Sequence, residues 1–159
     1  MKNSIITDQI NMDFEKAIYE AKKMSFRFVE VHSLWDKTIE NLDNNEIKLV
    51  KKILDKNDMK ISALSTTLFM MAPLYTNINN LELFSDEFLV FKGTYQQHIE
   101  KLKKCIDMSK ILETDFIRVF PFIKEEGVNK KYEVIVNNIT EKMILPNKLA
   151  READKVILI

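Results

Sequence analysis

Five short apolar runs alternate with four helical patterns along this chain of 159 residues, and that alternation limits the fold more than any other feature. The runs lie at residues 4–7, 26–35, 59–65, 116–120 and 156–159. The order βαβαβαβαβ requires parallel strands joined by right-handed crossovers. The sequence therefore predicts a single α/β domain over residues 1–159, a length at which a chain can bury a core of its own.

The starts of three helices are marked by capping residues. Asp13 is placed as an N-cap before an apolar stripe, because its short side chain can accept a backbone hydrogen bond of the first turn. Asp43 with Glu46, and Thr94 with Gln97, have the spacing of capping boxes, in which each side chain bonds the other's backbone N–H. These patterns predict helices that begin after residues 13, 43 and 94.

The last predicted helix, at 129–153, contains Pro146, which removes one backbone hydrogen bond. We therefore expect a bend or break at Pro146.

Residues 66–92 have no helical or strand periodicity but are too apolar for a disordered segment. A loop of this length within a compact domain is usually functional. We expect a folded segment, with a helical turn at 85–91, that covers one end of the sheet or closes over a substrate.

Polar side chains on one face of the second strand decide between two architectures. Phe28, Glu30 and His32 alternate with Val29 and Val31, so a carboxylate and an imidazole share a face that a buried sheet would exclude. A five-stranded doubly wound sheet would press these groups under helices. An incomplete (β/α)8 TIM barrel that stops after its fifth strand would place them in its interior instead.

The barrel also offers Glu30 a partner. In such barrels, alternate strands contribute side chains to the same interior layer. Glu30 lies on the second predicted strand and Arg118 on the fourth, so the two can form an ion pair. The barrel is therefore the favoured prediction, and the doubly wound sheet is the alternative.

Composition excludes several classes of function. The chain has 24 acidic and 24 basic residues, which gives no basic patch for nucleic acid or anionic membrane. No apolar run reaches the length of a membrane span or of a signal peptide. Cys105 is the only cysteine, so an internal disulfide is impossible, and a cytoplasmic location is expected.

The strand ends, taken in order, resemble the sugar phosphate isomerase/epimerase family, whose fold is the xylose isomerase-like TIM barrel. The residues that carry the resemblance are 7–10, 13–17, 29–35, 61–65, 91–94 and 117–122. The resemblance implies isomerisation or epimerisation of a sugar or polyol. It also implies a divalent metal (Mn, Mg or Zn) and carboxylates that move a proton beside a carbonyl.

The resemblance implies a glycine after each helix, and at those positions this chain has Ser25, Asp58, Glu113 and Asp154. The left-handed backbone expected there costs any residue with a Cβ, so we expect strain at Glu113 most of all.

The resemblance also indicates what this chain lacks. In the family, the metal ligands follow the fifth strand and come from later strands, so no residue of this chain is assigned as a metal ligand. A complete barrel takes roughly 250 residues. We therefore expect the chain to be truncated and to have no isomerase activity alone. The alternatives are a non-catalytic half-barrel that pairs with itself or with a missing C-terminal half and, less favoured, a metal hydrolase like the abasic-site endonucleases.

Five residues are predicted to contact a sugar, without an assigned catalytic residue. They are Glu30, His32, Trp35, Ser65 and Arg118. Each has an ordinary structural interpretation as well: Glu30 and Arg118 as an ion pair, His32 as a hydrogen-bonded rim residue, Trp35 as core or loop packing. Two further residues receive only structural interpretations, since His98 is placed on a helix surface and Cys105 in apolar packing.

Overall fold

The computed structural model describes residues 3–76 and 89–159, which form a parallel sheet with helices between successive strands. The main strands are β1 (Ser4–Ile6), β2 (Phe28–Val31), β5 (Lys60–Ser65), β6 (Phe116–Arg118) and β7 (Val156–Leu158). A small hairpin, β3 (Ser33–Leu34) with β4 (Lys37–Thr38), follows β2. The helices are α1 (Phe14–Lys23), α2 (Asn44–Asn57), α3 (Tyr95–Ile111) and α4 (Tyr132–Glu152), with 3-10 turns at Thr7–Gln9 and Ile39–Asn41.

The strand order of the main sheet confirms the barrel and rules out the doubly wound alternative. All five strands pair in parallel in the order β1-β2-β5-β6-β7, which is their order along the chain. A doubly wound sheet reverses its order at a switch point and carries helices on both faces. With right-handed crossovers and no reversal, all helices lie on one face, where each packs against the next. The other face is left to form the interior of the barrel.

Side-chain burial separates these two faces. Val29, Val31, Leu64 and Ile117 point toward the helices and are completely buried. On the opposite, concave face, Phe116 is still 42% exposed. Apolar burial is therefore concentrated between the sheet and the helices, while the concave face remains open to solvent.

The predicted second strand was too long. It ends at Val31, and after His32 the residues 33–38 form the β3–β4 hairpin, whose turn places Trp35 and Asp36 at φ values of +50° and +59°. Period-two alternation does not distinguish a continuous strand from a strand followed by a two-residue hairpin arm.

All three predicted caps are confirmed. Asp13 accepts from the backbone N–H of Lys16 at 3.2 Å. Asp43 and Thr94 each complete a reciprocal capping box, with Glu46 and Gln97 respectively. The local sequence thus determines where these three helices start.

The four helix ends are also confirmed, and they share one geometry. Ser25, Asp58, Glu113 and Asp154 have φ values between +54° and +64°. After each of them, the next backbone N–H bonds back to the carbonyl five residues earlier, for example Thr114 to Ser109 at 3.0 Å. This is the Schellman motif, in which glycine is preferred because a Cβ is strained at positive φ.

Pro146 does not split α4, which runs from Tyr132 to Glu152 as one helix. Proline has no N–H, so the carbonyl of Lys142, four residues earlier, loses its helical partner. The Tyr95 hydroxyl of α3 donates to that carbonyl at 2.8 Å. The expected break is therefore absent, because a neighbouring helix supplies the missing donor.

The described part of the predicted loop is folded and buried, as expected. Phe69 and Met71 are fully buried, and the segment pairs with the chain that follows β6 through Phe120 N–H to Leu68 at 2.9 Å and Ile123 N–H to Ala72 at 3.0 Å. It covers the carboxyl ends of β5 and β6. The helical turn predicted at 85–91 falls mostly within 77–88, outside the described residues.

The prediction that His98 lies on a surface is wrong. Its side chain is fully buried, and its Nδ1 accepts from the backbone N–H of Phe69 at 3.0 Å. Burial lowers the pKa of His98 to about 4, so the imidazole is neutral at pH 7.

Cys105 is buried and unpaired, as predicted. No helix among the described residues has the length and apolarity needed to cross a membrane.

Candidate functional site

Three of the five predicted sugar-contacting residues meet on the concave face, at the carboxyl ends of the strands. Ser65 ends β5, and it stands in register with Arg118, which ends β6. The Arg118 guanidinium donates to the Ser65 hydroxyl and places its Nε 3.2 Å from Oε1 of Glu30 on β2. The ion pair predicted from strand parity is therefore present.

This pair spans a full strand, which is possible because of the small residue between its members. β2 and β6 are separated by β5, so their backbones lie roughly 10 Å apart. Ala63, which pairs with Glu30, lies two residues before Ser65 and so on the same face. Its methyl group leaves room for the two long side chains to meet above β5 on the concave side.

The pair retains unfilled hydrogen-bonding capacity. The Glu30 side chain is 23% exposed and that of Arg118 is 34% exposed. Their facing atoms, Oε1 and Nε, are buried, and the described residues provide neither with a hydrogen bond. Such atoms usually have a partner. A partly exposed ion pair stabilises a folded protein by only about 1 kcal/mol or less. This pair therefore adds little to the stability of the fold.

A concavity on the same face continues toward the amino ends of the strands. Its volume is about 460 Å³, and its lining combines apolar side chains such as Phe28 and Phe116 with charged ones such as Glu30, Lys60 and Asp115. Pockets for small molecules are typically about 300–1,000 Å³ and carry a few polar groups. The size and lining therefore suit a small ligand with polar groups, which would meet the Glu30 carboxylate.

His32 is turned toward the first βα connection. Its Nδ1 lies 2.8 Å from Oδ2 of Asp8, which also accepts from the Ser33 hydroxyl at 2.7 Å. Burial raises the pKa of Asp8, but the hydrogen bonds from His32 and Ser33 outweigh burial and hold that pKa below its usual value. Asp8 therefore fixes the orientation of the imidazole.

Trp35 is held by packing against the same connection. Its ring meets the Phe14 ring edge-on, with centroids 6.0 Å apart, and its backbone N–H bonds to Met12 at 2.9 Å. The structure thus brings Glu30, Ser65 and Arg118 together, whereas His32 and Trp35 make these contacts near β1 and α1. The predicted sugar contacts of all five residues stay predictions.

Sequence reasoning missed a buried carboxyl group, Glu40. It is 1% exposed, and its Oε1 accepts from the Thr67 backbone N–H at 3.1 Å and from the Thr67 hydroxyl. Burial raises the pKa of Glu40, although the bonds from Thr67 act against burial. The Thr67 hydroxyl also accepts from Phe91 N–H at 2.8 Å, so Thr67 links Glu40 of the second 3-10 turn to the segment before α3.

The described residues do not fit a metal centre. Among residues 3–76 and 89–159, no three His, Cys, Asp or Glu side chains converge as ligands. Glu30 faces the Arg118 cation, and Asp8 is committed to His32 and Ser33. A divalent ion needs several anionic or neutral donors aimed at one point, and these carboxylates are already engaged elsewhere.

The fold is that of part of a (β/α)8 barrel, and solved structures match it over nearly the whole chain. A sugar phosphate isomerase/epimerase from Parabacteroides distasonis matches at 14% identity with a TM-score of 0.60, covering 98% of this chain and 49% of its own. The IolI protein with a bound zinc atom matches at 16% identity with a TM-score of 0.67, covering 99% of this chain and 50% of its own. A D-psicose 3-epimerase from Clostridium cellulolyticum H10, solved with D-tagatose, matches at 10% identity with a TM-score of 0.64, covering 99% of this chain and 51% of its own.

These matches confirm the predicted resemblance at the level of the fold. The chain spans about half the length of the solved structures it matches. No protein-family model and no curated protein sequence matches it. A family 2 AP endonuclease from Brucella melitensis has the same fold, at 10% identity and a TM-score of 0.64 over 99% of this chain and 54% of its own. The fold alone therefore does not indicate a function, which has to be inferred from the chemistry of the site.

Proposed function

We propose that the concave face of this chain binds a sugar or sugar phosphate and that the chain alone does not catalyse isomerisation. The observation that carries the binding proposal is the Glu30–Arg118 pair, whose side chains remain 23% and 34% exposed, with Glu30 lining an open concavity of about 460 Å³. Structures of similar fold include sugar-converting enzymes, one of them solved with D-tagatose.

The two side chains have complementary uses toward such a ligand. The planar guanidinium of Arg118 can hold two phosphate or hydroxyl oxygens at once, and the Phe120 ring, 5.5 Å from its Cζ, limits how that plane tilts. The Glu30 carboxylate can accept from two sugar hydroxyls. A bound ligand would form directed hydrogen bonds with both side chains, in place of the weak ionic contact between Glu30 and Arg118.

The endonuclease alternative lacks comparable support. Phosphodiester recognition requires clustered lysine and arginine, and this chain has a formal charge of zero.

A chain whose single cysteine is buried and unpaired is suited to a reducing compartment, so we propose a cytoplasmic location for this protein.

We expect the chain alone to be inactive because of what the reaction requires. Moving a proton beside a carbonyl requires a positioned base and a group that stabilises the developing oxyanion. The structural neighbours are about twice as long as this chain, and its described residues form no metal-ligand cluster that could polarise the carbonyl.

Binding is tested by isothermal titration calorimetry with D-fructose and D-fructose 6-phosphate. We expect Arg118→Gln to weaken binding of the phosphate ester at least tenfold, about 1.4 kcal/mol. The control is Arg27→Gln, which removes the same charge from an exposed residue just before β2. Equal weakening by both variants, or no binding by the parent chain, would contradict the proposal.

Catalysis is tested separately, with D-fructose or D-tagatose and added Mn²⁺, Mg²⁺ or Zn²⁺. We expect no epimerised sugar by chromatography. Turnover that a chelator abolishes would show that the chain is active and that this part of the proposal is wrong, whatever the calorimetry gives.

A further inference from the structure

Three consecutive hydroxyl residues connect the end of β5 to Arg118 on one side and to Glu40 on the other. Ser65, Thr66 and Thr67 follow one another along the chain and are fully buried. The Ser65 hydroxyl accepts from the Arg118 guanidinium, and the Thr66 hydroxyl donates to the Arg118 backbone carbonyl at 2.6 Å. The side chain and the backbone of Arg118 are therefore both held by this one segment.

The bond from Thr66 to the Arg118 carbonyl has a fixed direction. The Thr66 hydroxyl oxygen accepts from the Leu68 backbone N–H at 3.3 Å, which leaves the hydroxyl hydrogen to donate to Arg118. Two residues after Arg118, the Phe120 N–H bonds to the Leu68 carbonyl at 2.9 Å. The position of Arg118 relative to β5 therefore depends on where residues 66–68 lie.

Glu40 holds the same segment from the second 3-10 turn. Its Oε1 accepts from both the backbone N–H and the hydroxyl of Thr67. Because the Phe91 N–H donates to the Thr67 hydroxyl oxygen, the hydroxyl hydrogen is directed to Glu40. Two donors of one residue thus converge on one carboxyl oxygen, which fixes the backbone and the side-chain rotamer of Thr67 together.

Stability alone does not explain a carboxyl group at position 40. The Glu40 Oε2 is buried and receives no hydrogen bond from the described residues. Lys101 of α3 donates to the backbone carbonyl of Glu40 at 3.3 Å rather than to its carboxyl group. A buried polar oxygen without a partner is unfavourable, and such departures are typical of residues that hold a functional site in place.

We propose that Glu40 is a positioning residue for Arg118, which acts through Thr67 and Thr66 and thereby sets the affinity of the site for a phosphorylated sugar. The use of this placement by a ligand rests on the proposed function, whereas the placement itself does not. The role needs an oxygen that accepts two hydrogen bonds, not a negative charge. Glu40→Gln should therefore keep it, and Glu40→Leu, which removes the acceptor, should lose it.

The placement is tested without a ligand, by nuclear magnetic resonance of the arginine Nε–H groups. The arginines of this chain are Arg27, Arg118 and Arg151, so the Arg118 signal is assigned by substitution. The Arg118 Nε is buried, and its hydrogen should exchange slowly with water. We expect Glu40→Leu to speed this exchange roughly tenfold or more, and Glu40→Gln to leave it within about twofold of the parent chain.

A second variant covers the case in which Glu40→Leu does not fold. Thr66→Val keeps the shape of the side chain but removes the hydroxyl that donates to Arg118, so it should speed the same exchange. The matched control is Ser109→Ala, which removes another buried hydroxyl that donates to a backbone carbonyl, that of Ile106 at 2.7 Å within α3. We expect this control to leave the Arg118 exchange unchanged.

Three results of the exchange measurement overturn the proposal. The first is an Arg118 exchange rate that neither Glu40→Leu nor Thr66→Val changes. The second is an equal acceleration by Ser109→Ala, which would mean that any lost buried hydroxyl loosens the fold. The third is a Glu40→Gln chain that behaves like Glu40→Leu, because the role would then not be that of a hydrogen-bond acceptor.

The use of the placement is tested by calorimetry with D-fructose 6-phosphate. We expect Glu40→Leu to weaken binding roughly tenfold or more, and Glu40→Gln to bind like the parent chain. An unchanged affinity in Glu40→Leu, together with faster Arg118 exchange, overturns the inference that the placement serves the ligand. A parent chain that does not bind contradicts the proposed function instead, and the exchange rates then still decide whether Glu40 positions Arg118.

Discussion

The contact between Tyr95 and the carbonyl of Lys142 explains how α4 passes through Pro146, and it can be tested by a double-mutant cycle. Tyr95→Phe removes the hydroxyl that donates to Lys142 C=O at 2.8 Å. That carbonyl cannot recover a helical bond, because residue 146 has no N–H. Leaving a buried acceptor unpaired costs roughly 1–3 kcal/mol. Since this contact is only part-buried, water can take over part of the role, and we expect a loss of about 1 kcal/mol.

The partner variant is Pro146→Ala, which restores an N–H at position 146. In that background, the alanine N–H bonds to Lys142 C=O as in any helix, so Tyr95→Phe should cost much less. The expected coupling between the two substitutions is about 1 kcal/mol. Tyr95 also packs against Phe69 and Phe122, and phenylalanine keeps that packing, so the cycle isolates the hydroxyl.

The free energy of unfolding of all four proteins is measured by urea denaturation followed by circular dichroism. If Tyr95→Phe costs the same with proline and with alanine at position 146, the hydroxyl does not replace the missing helical bond. The explanation of the continuous helix would then be wrong, even if Tyr95→Phe is destabilising by itself.

Two further predictions concern pH and helix ends. Because burial depresses the pKa of His98 from 6.5 to about 4, its contribution to stability is complete above pH 6.5 and is lost as the pH falls toward 4. That loss is roughly 3 kcal/mol, because the buried surroundings of His98 disfavour the protonated ring. Urea titrations should show this slope in the parent chain and a flatter one in His98→Gln; equal slopes would refute it. Glu113→Gly relieves a φ of +56° and should raise the midpoint of thermal unfolding by roughly 2–4 °C, equivalent to about 1 kcal/mol. The control Glu100→Gly, inside α3, should lower that midpoint; a lowered midpoint in both would mean that Glu113 is unstrained.

The candidate site could be predicted only in part, and the reason is the range of the contacts. Glu30 and Arg118 were paired from the parity of their strands, since barrel symmetry fixes which strands share a layer. Asp8 was missed as the partner of His32 because the two are 24 positions apart and no sequence period relates them. Glu40 was missed for the same reason, since its partner Thr67 lies 27 positions away.

The error at His98 was avoidable. His98, Leu102 and Cys105 are spaced by four and three residues, so the histidine lies on the same face of α3 as two buried side chains. That spacing is typical of a buried position and could have corrected the expectation that His98 lies on the surface. Helical periodicity is the better guide, because it describes which face packs against the sheet.

Some features of this protein depend on neighbours within a few positions and can be predicted from the chain before it folds: where three of its helices start and which segments form strands. Other features became visible only in the folded molecule. The Tyr95 hydroxyl supplies the donor that Pro146 lacks, and the Phe69 N–H donates to the buried His98 ring. These features join residues far apart in sequence, and only packing in three dimensions brings such residues into contact.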